Sequence, residues 1–225
     1  EDYAVQIFNP TFGSAGIITD PLSVNGRVLY VKGTQSVDAI VVRLTSPTMV
    51  TVYIAPSLSI GSFALNSFDR IVICGLGGND SIAVESPVSK PSVIYGDDGN
   101  DTISGGPLGD IIFGGAGIDT IAGNAGDDVI SGGIGNDTLS GFENLTGSAF
   151  ADLLGGNSGD NVIDGGAGND LIFDSAGNDT VIGGAGIDTS YYVNIGGSVT
   201  VSLAAGTATG AAGNDTLSGI ENLYG

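Results

Sequence analysis

The stretch Gly114–Ala122 reads GGAGIDTIA, and Gly132–Ser140 reads GGIGNDTLS. Both follow the nine-residue pattern Gly-Gly-x-Gly-x-Asp-x-aliphatic-x, which recurs at nearly every ninth residue from Gly96 to Tyr191. A fixed repeat of this length predicts short strands stacked into a solenoid rather than a conventional globular core. Because Asp occupies a constant place in each repeat, we expect the stack to line up carboxylates, and lined-up carboxylates need a cation.

The repeats are arranged in two main blocks. Residues 96–140 and residues 147–191 each hold five units, after an isolated first unit at residues 75–83. We expect the six-residue interruption Gly141–Thr146 to break the stacks between the blocks. Residues 192–225 read as degenerate C-terminal coils, in which residues 210–218 return to the nine-residue register.

The N-terminal part of the chain has a different composition. Residues 1–70 contain few glycines and several β-branched or aromatic runs, at residues 28–31, 39–42 and 49–54, which predict strands. The interpretation is an N-terminal β-rich segment over residues 1–70, followed by a repeat domain over residues 71–225.

Charge is unevenly distributed along the chain. The formal net charge is −20, and all five basic residues lie among the first 90 positions. The remaining residues carry 18 acids and no base. This excess argues against nucleic acid and anionic membrane surfaces as partners. The chain also has no histidine and one cysteine, Cys74, which argues against a usual zinc site and against His-based catalysis.

The repeat pattern predicts an all-β parallel β-roll. One nonapeptide supplies a turn and a strand on one side, the next supplies the other side, and a coil takes 18 residues. The aliphatic residue at position 8 should point into the core, with Ser190 as the one departure. The expected core positions are Ile103, Ile112, Ile121, Ile130, Leu139, Leu154, Ile163, Ile172, Val181 and Leu217.

The same geometry predicts two stacks of acidic side chains. Neighbours within a stack would lie one strand spacing apart, about 4.8 Å. Bare carboxylates at that distance repel by about 3–4 kcal/mol at an effective dielectric constant near 20. The predicted alignments are Asp101, Asp119 and Asp137; Asp110 and Asp128; Asp152, Asp170 and Asp188; and Asn161 with Asp179.

An all-oxygen site of carboxylates and backbone carbonyls selects a hard cation. Many ligands on a flexible backbone favour Ca²⁺ over Mg²⁺, which requires near-octahedral geometry and retains water. The acidic residues outside the repeats, Asp20, Asp38 and Asp69, are interpreted as ordinary loop acids. Glu143 and Glu221 occupy matching Glu-Asn-Leu motifs and are interpreted as structural turn residues rather than ligands.

The nonapeptides resemble the RTX (repeat-in-toxin) family, whose repeats build calcium-binding parallel β-rolls. The resemblance covers residues 75–83 and about 96–191, with a remnant at residues 210–218. In that family each ion lies between turns two repeats apart. The earlier repeat contributes the carbonyls of positions 2 and 4 and its Asp, and the later repeat contributes the carbonyls of positions 1 and 3 and its Asp.

Carried over to this chain, the resemblance implies about four to six calcium ions. The implied metal ligands are Asp97, Gly99, Asp101, Gly106, Leu108, Asp110, Gly114, Gly115, Ala116, Gly117, Asp119, Gly123, Ala125, Asp128, Gly132, Ile134, Asp137, Ser148, Phe150, Asp152, Gly165, Gly166, Ala167, Gly168, Asp170, Asp174, Ala176, Asp179, Gly183, Ala185 and Asp188.

Three departures from the family pattern affect these ligand sets. Asn161 replaces an Asp, so the site it would share with Asp179 should be weaker. Leu108 and Phe150 replace glycines at position 4, which is expected to distort their turns.

These observations favour a secreted calcium-binding structural protein, located outside the cell, at the cell surface or in a matrix. It would fold in extracellular calcium and self-associate as a filament, surface-layer or matrix subunit, or contact neighbouring domains of such an assembly. The alternative is a calcium-dependent RTX module of a larger secreted toxin, adhesin or hydrolase. An adhesin for sugar or ice is a third interpretation, but the sequence shows neither an aromatic platform nor a regular Thr-x-Thr array. Catalysis and membrane insertion are not expected.

Overall fold

The computed structural model describes residues 7–9, 13–19, 26–54, 58–141, 144–156, 158–192 and 196–225. Within these residues the chain is almost entirely β-structure, with a single short 3₁₀ turn at Leu65–Ser67. The strands are β1 (Ile7–Asn9), β2 (Gly13–Thr19), β3 (Arg27–Lys32), β4 (Ala39–Ser46), β5 (Met49–Ile54), β6 (Ser59–Ala64), β7 (Arg70–Gly77), β8 (Ser81–Val84), β9 (Ser92–Asp98), β10 (Thr102–Ser104), β11 (Ile111–Ala116), β12 (Thr120–Ala122), β13 (Val129–Ile134), β14 (Thr138–Ser140), β15 (Asn144–Thr146), β16 (Leu153–Gly155), β17 (Val162–Asp164), β18 (Ala167–Gly168), β19 (Leu171–Phe173), β20 (Thr180–Ile182), β21 (Ala185–Gly186), β22 (Thr189–Tyr191), β23 (Val199–Ser202), β24 (Thr207–Gly210), β25 (Gly213–Ser218) and β26 (Asn222–Tyr224).

Alternate repeats build two facing parallel sheets. Sheet 1 has the order β1-β2-β3-β7-β9-β11-β13-β15-β17-β20-β25-β24-β23, and sheet 2 has the order β26-β22-β19-β16-β14-β12-β10-β8-β4-β5-β6. Residues 18 apart are partners in register: Ile112 with Ile130 in sheet 1, and Ile103 with Ile121 in sheet 2. The predicted all-β parallel roll with 18 residues per coil is therefore confirmed.

The position-8 side chains form the core between the two sheets, as predicted. Each of the predicted aliphatic residues is buried, and burial of one such side chain contributes about 1.5–3 kcal/mol. Ser190 occupies the same inward position and is fully buried despite its hydroxyl. The core continues beyond the repeats through residues such as Leu29, Ile40 and Leu145.

The prediction that the interruption breaks both stacks is wrong. Within Gly141–Thr146, the last three residues form β15, which pairs in parallel with β13 on one side and β17 on the other. Leu145 takes the core place between Ile130 and Ile163. The coil is shortened rather than broken, because Leu139 pairs with Leu154, 15 residues later.

The N-terminal strands join the same two sheets. β3 pairs in parallel with β7, and β4 pairs in parallel with β8, so the first coil of the roll begins before residue 70. Antiparallel strands extend both sheets at this end, β1 and β2 in sheet 1 and β5 and β6 in sheet 2. The strands predicted at residues 28–31, 39–42 and 49–54 are present, while independent folding on either side of residue 70 stays a prediction.

The C-terminal part departs from the regular winding. β25 pairs in parallel with β20, and β24 and β23 continue the sheet as an antiparallel hairpin. β26 pairs with β22 in sheet 2. Among the residues described, the fold includes no helix with the length and apolarity needed to cross a bilayer.

Candidate metal centre

The aspartates at position 6 form a continuous hydrogen-bonded series along one side of the roll, called here the first ladder. The backbone N–H of Asp101 donates to Oδ1 of Asp119 at 2.8 Å, and the N–H of Asp119 donates to Oδ1 of Asp137 at 2.9 Å. Asp137 then donates to Asp152 at 2.8 Å, directly across the interruption. The members of the ladder are Asp38, Asp80, Asp101, Asp119, Asp137, Asp152, Asp170, Asp188 and Glu221.

The sequence did not place two residues in this ladder. Asp38 was interpreted as a loop acid, but it is buried, and its N–H donates to Oδ1 of Asp80 at 2.8 Å. Glu221 was interpreted as a turn residue, but its Oε2 accepts the N–H of Asp188 at 2.8 Å. Its Glu-Asn-Leu motif was the available signal, because Asn222 and Leu223 pair in register with Thr189 and Ser190. Glu143, in the matching motif, lies outside the described residues.

A second ladder follows the other side of the roll. Asp110 donates its N–H to Oδ1 of Asp128 at 2.7 Å, and Asn161 donates to Oδ1 of Asp179 at 2.8 Å, which are the predicted alignments. Asp179 in turn donates to Oδ1 of Asp215 at 3.0 Å, although the two residues are 36 positions apart. Between them, β20 and β22 form one further coil of the roll, and β23 and β24 then form a hairpin, so Asp215 takes the next place in the ladder.

The second carboxylate oxygen of most ladder residues has no hydrogen-bond donor. In the turn of Asp119, Oδ2 points back at Gly114, where an added Cβ would lie 2.4 Å from Oδ2 and 2.3 Å from the carbonyl oxygen of Gly132. Glycine at position 1 is therefore required by the inward carboxylate. Buried charged oxygens without partners are costly. The ladder oxygens in this condition are Oδ2 of Asp80, Asp101, Asp119, Asp137, Asp170, Asp188 and Asp215.

Two turns of the regular repeats are built differently, and we call turns of this kind closed turns. In one, the N–H of Gly106 donates to Oδ2 of Asp110 at 2.6 Å. In the other, the N–H of Ser148 donates to Oδ2 of Asp152 at 2.6 Å. Both oxygens of these carboxylates are therefore already engaged by the protein.

Among the regular repeats, the closed turns are the two that lack glycine at position 4. The turn of Asp38, which precedes the repeats, has Ser36 at this place and is closed in the same way, because the N–H of Thr34 donates to Oδ2 of Asp38 at 2.5 Å. Gly117 and Gly135 occupy this position in open turns with φ of +147° and +141°. Leu108 and Phe150 occupy it in the closed turns, and neither has a positive φ. The expected distortion is therefore present, and its consequence is that the carboxylate binds its own backbone.

Backbone carbonyls line the gap between successive coils. The carbonyl oxygen of Gly117 points at Gly135, where an added Cβ would be 1.5 Å away. The carbonyl of Ile134 points in the opposite direction and accepts the N–H of Gly117 at 2.7 Å. Carbonyls of positions 2 and 4 thus face the later coil and those of positions 1 and 3 face the earlier one, which agrees with the implied ligand scheme. The assignment of individual residues as ligands stays a prediction.

Burial raises the pKa of several carboxyls of the first ladder. Burial is the largest cause at Asp119 and Asp170, where the pKa rises to about 6, and at Asp80, where it rises to about 7. Charges on neighbouring ladder residues raise each value further, and the backbone N–H bonds described above oppose the shift. In the folded chain without a cation, ionisation of these carboxyl groups is therefore less favourable than in water.

A compact group of three carboxylates interrupts the regularity of the second ladder. One oxygen each from Asp174, Asp179 and Asp215 lie within 4.8 Å of one another, and all three residues are buried. The sequence predicted Asp174 as a carbonyl ligand and missed both its side chain and Asp215. The nine-residue register relates Asp215 to Asp179, but only the structure shows that a single coil and the β23–β24 hairpin lie between them.

The available ligands fit calcium. The turns offer carboxylate and carbonyl oxygens without nitrogen or sulfur, and several of these oxygens lack any protein donor. Calcium accepts six to eight such ligands in irregular geometry, whereas zinc prefers nitrogen and sulfur. The arrangement therefore suits a cation between successive turns of each ladder.

Fold and site together define a parallel β-roll with cation-binding carboxylate ladders. Residues 91–108, 105–139, 140–172 and 155–189 match the family model of the RTX calcium-binding nonapeptide repeat, in four copies. Residues 91–189 therefore carry RTX calcium-binding nonapeptide repeats. A comparison with curated proteins found no significant match.

Proposed function

We propose that this chain is a secreted calcium-binding structural protein whose roll folds when it meets extracellular calcium. The observation that carries this proposal is the row of buried carboxylate oxygens without hydrogen-bond donors in the first ladder. Proteins with RTX repeats are typically secreted, and the environment outside the cell supplies the ion. No catalytic role is proposed, because the chain has no histidine base.

The energetic argument rests on charge. Each pair of adjacent ionised carboxylates costs about 3–4 kcal/mol at an effective dielectric constant near 20. Two or three such pairs equal the whole stability of an ordinary domain, about 5–15 kcal/mol. Calcium supplies the compensating positive charge, so its binding free energy becomes folding free energy.

The protein's own residues would then act in two ways. The aspartates of open turns, such as Asp119 and Asp137, and the carbonyls facing them would hold the ion. The aliphatic residues behind them, such as Ile121 and Leu139, would close the core once the turns are fixed. A weak affinity typical of extracellular modules, about 10⁻⁴–10⁻³ M, would keep the chain unfolded in a low-calcium cytoplasm.

Circular dichroism with calcium, with magnesium and with a chelator tests this proposal. We expect a strand spectrum and cooperative thermal unfolding in millimolar calcium, and loss of both in the chelator. Magnesium at the same concentration should restore little of the spectrum. A strand spectrum unchanged by the chelator would contradict the proposal.

Self-association is proposed as the structural role. The outer face of sheet 1 carries an apolar stripe, formed by residues in register on five successive strands: Tyr30, Val72, Val93, Ile111 and Val129. Asn144 takes the next place on β15, and Val162 follows it on β17. Ile111, Val129 and Val162 are 41%, 47% and 43% exposed. Tyr95 and Phe113 stack beside the stripe with ring centroids 5.2 Å apart. An apolar face of this kind favours contact with a second copy.

Light scattering after size-exclusion chromatography in calcium tests the role of this stripe. We expect oligomers for the natural chain and a shift towards monomer for Ile111→Thr. Leu171→Thr is the matched control, because Leu171 is 37% exposed on the outer face of sheet 2. Monomers at all concentrations for the natural chain would remove self-association from the proposal.

The alternative is a calcium-dependent RTX module within a larger toxin, adhesin or hydrolase. The family match concerns the repeats alone, and such repeats are not typically enzymatic. Intact mass of the secreted protein distinguishes the two. A mass well above 22.2 kDa would favour the module.

An aromatic row on sheet 2 bears on the adhesin interpretation. Phe173 and Tyr191 stack at 4.9 Å, and Tyr191 and Tyr224 follow at 5.1 Å. The sequence did not reveal this row, because its members come from separate coils. The first two rings lie nearly parallel and cover each other's faces, so they do not present a flat platform to a sugar.

A further inference from the structure

Asp174 differs from every other residue at the start of a turn in the regular repeats. Position 1 is elsewhere glycine, because a Cβ there would meet the inward carboxylate of the same repeat. Asp174 places a second carboxylate in that space, five residues before Asp179. Asp174 is buried, with 7% of its surface exposed to solvent. Neither of its carboxylate oxygens accepts a hydrogen bond of normal geometry.

No basic side chain of the protein neutralises the three carboxylates of Asp174, Asp179 and Asp215. Asp179 Oδ1 accepts the N–H of Asn161, and Asp215 Oδ1 accepts the N–H of Asp179. Oδ2 of Asp215 has no donor, and Oδ2 of Asp179 makes a long contact of 3.4 Å with Ser175 Oγ. All basic residues of the chain lie at position 90 or before.

The spacing of these carboxylates matches a calcium ion. Calcium–oxygen distances are about 2.3–2.6 Å, so two ligands of one ion lie up to about 5 Å apart. One oxygen from each of the three carboxylates lies within 4.8 Å of the others. The regular turns offer two ladder carboxylates to a gap, whereas this one offers three.

We propose that the side chains of Asp174, Asp179 and Asp215 form a separate three-carboxylate calcium site that fastens the C-terminal hairpin to the roll. Asp215 lies on β25, which carries the β23–β24 hairpin, whereas Asp179 immediately precedes β20. An ion at this place joins β25 to β20 across the 36 residues that separate the two aspartates. The inference deepens the proposed function and rests on the repeats binding calcium.

A proton shared by Asp174 and Asp179 is the rival explanation of this cluster. Burial, followed by the charges of Asp215 and Asp179, raises the pKa of Asp174 to about 8. A protonated Asp174 would relieve the repulsion without any ion. Replacement of Asp174 then leaves calcium binding unchanged, which separates the two explanations.

Isothermal titration with calcium at pH 8.5 on the full chain provides the first test. Asp174→Asn removes the charge at nearly constant volume, and Asp174→Gly restores the residue that other repeats have at position 1. We expect either variant to bind one ion fewer, or to bind that ion at least about tenfold more weakly. Asp127→Asn is the control, because Asp127 is exposed and belongs to neither ladder.

Terbium luminescence locates the site. The hydroxyl of Tyr192 is buried near the cluster, and its pKa is raised first by burial and then by the charge of Asp174. With no tryptophan in the chain, tyrosines are the sensitisers of bound terbium on excitation near 280 nm. We expect Tyr192→Phe and Asp174→Asn each to remove a component of the signal that calcium competes away.

Hydrogen exchange supplies the structural readout. In calcium, Asp174→Asn should lose protection in β25 while the turns around Asp119 keep theirs. The inference would be overturned if Asp174→Asn bound the same number of calcium ions with the same affinity and kept the terbium signal and the hydrogen-exchange protection of the natural chain. That result would leave the proposed function intact. Failure of the natural chain to bind any calcium would instead overturn the proposed function.

Discussion

The turns of Asp119 and Asp110 have the same length and place their carboxylates in equivalent positions of the two ladders. They differ in the hydrogen bonding of one carboxylate oxygen, Oδ2. Oδ2 of Asp119 has no donor, whereas Oδ2 of Asp110 accepts the N–H of Gly106 at 2.6 Å. The two turns differ at positions 3, 4 and 5, and position 4 is glycine in the open turn and Leu108 in the closed one. In the closed turn a backbone N–H therefore binds the carboxylate oxygen that is left for a cation in the open turn.

The same contrast occurs within the first ladder. Asp137 follows Gly135 and is open, and its neighbour Asp152 follows Phe150 and is closed. Since a residue with a Cβ avoids positive φ, the backbone folds differently at Phe150. The comparison teaches that position 4 decides whether a carboxylate is available to a cation, independently of the Asp itself.

Converting an open turn into a closed one should produce the largest effect. Gly117→Ala places a Cβ at φ +147°, 2.0 Å from the carbonyl oxygen of Gly99. We expect a loss of about 1–3 kcal/mol from backbone strain alone, with weaker calcium binding in addition. Thermal unfolding in calcium measures it. Gly155→Ala is the control, because its nearest new contact is Phe173 Cβ at 3.7 Å.

Removing the charge from an open turn should have the next largest effect. In calcium, Asp119→Asn should lower stability by about 2.7 kcal/mol for each ion lost at a hundredfold excess over Kd. In chelator the same variant should be more stable than the natural chain, because repulsion along the ladder is reduced. Asp152→Asn, in a closed turn, should show a smaller loss in calcium. Equal losses for the two variants, from denaturant titrations, would contradict the comparison.

The pH dependence of the calcium-free chain follows from the raised pKa values. Folded Asp119 and Asp170 have a pKa of about 6, and Asp80 about 7, against about 3.9 for an unfolded Asp. The folded state therefore binds more protons than the unfolded state between about pH 4 and pH 7, so stability must fall as pH rises through this window. Unfolding in chelator at pH 5 and pH 7.5 checks the sign. Stability that instead rises with pH would show that the carboxylates are not held as described.

Opening a closed turn should give the smallest change. Leu108→Gly removes a side chain that is 40% exposed, so little packing is lost. We expect the turn to adopt a positive φ at position 4, freeing Oδ2 of Asp110 and tightening calcium binding there. Calcium titration compares the variant with Leu108→Ala, which shortens the side chain without favouring positive φ. Identical binding by the two variants would mean that position 4 does not control the carboxylate.

Much of this architecture was predictable because the repeat makes contacts periodic. The core positions and both ladders within residues 96–140 follow directly from an 18-residue coil. The prediction that residues 141–146 break the stacks was wrong because the nine-residue spacing does not show two things. Leu145 preserves a core position, and a coil tolerates a shorter turn.

Other features depended on contacts that no local pattern records. Asp38 precedes the glycine-rich repeats, so its place at the start of the first ladder came only from the pairing of β4 with β8. The position of Asp174 in its repeat predicted a ligand through the backbone carbonyl. That its side chain can also be a ligand follows only from the structure, which places Asp215 beside it. The closed turns were expected to be distorted, but the hydrogen bond that closes them required the backbone geometry.

A crystal structure of the full chain grown in calcium, with anomalous diffraction collected at long wavelength, tests the central claim most directly. The account predicts calcium peaks between the coils that carry Asp101, Asp119 and Asp137, and weaker or no peaks beside the closed turn of Asp110. A folded roll with no anomalous peak between the coils of Asp119 and Asp137 would contradict it.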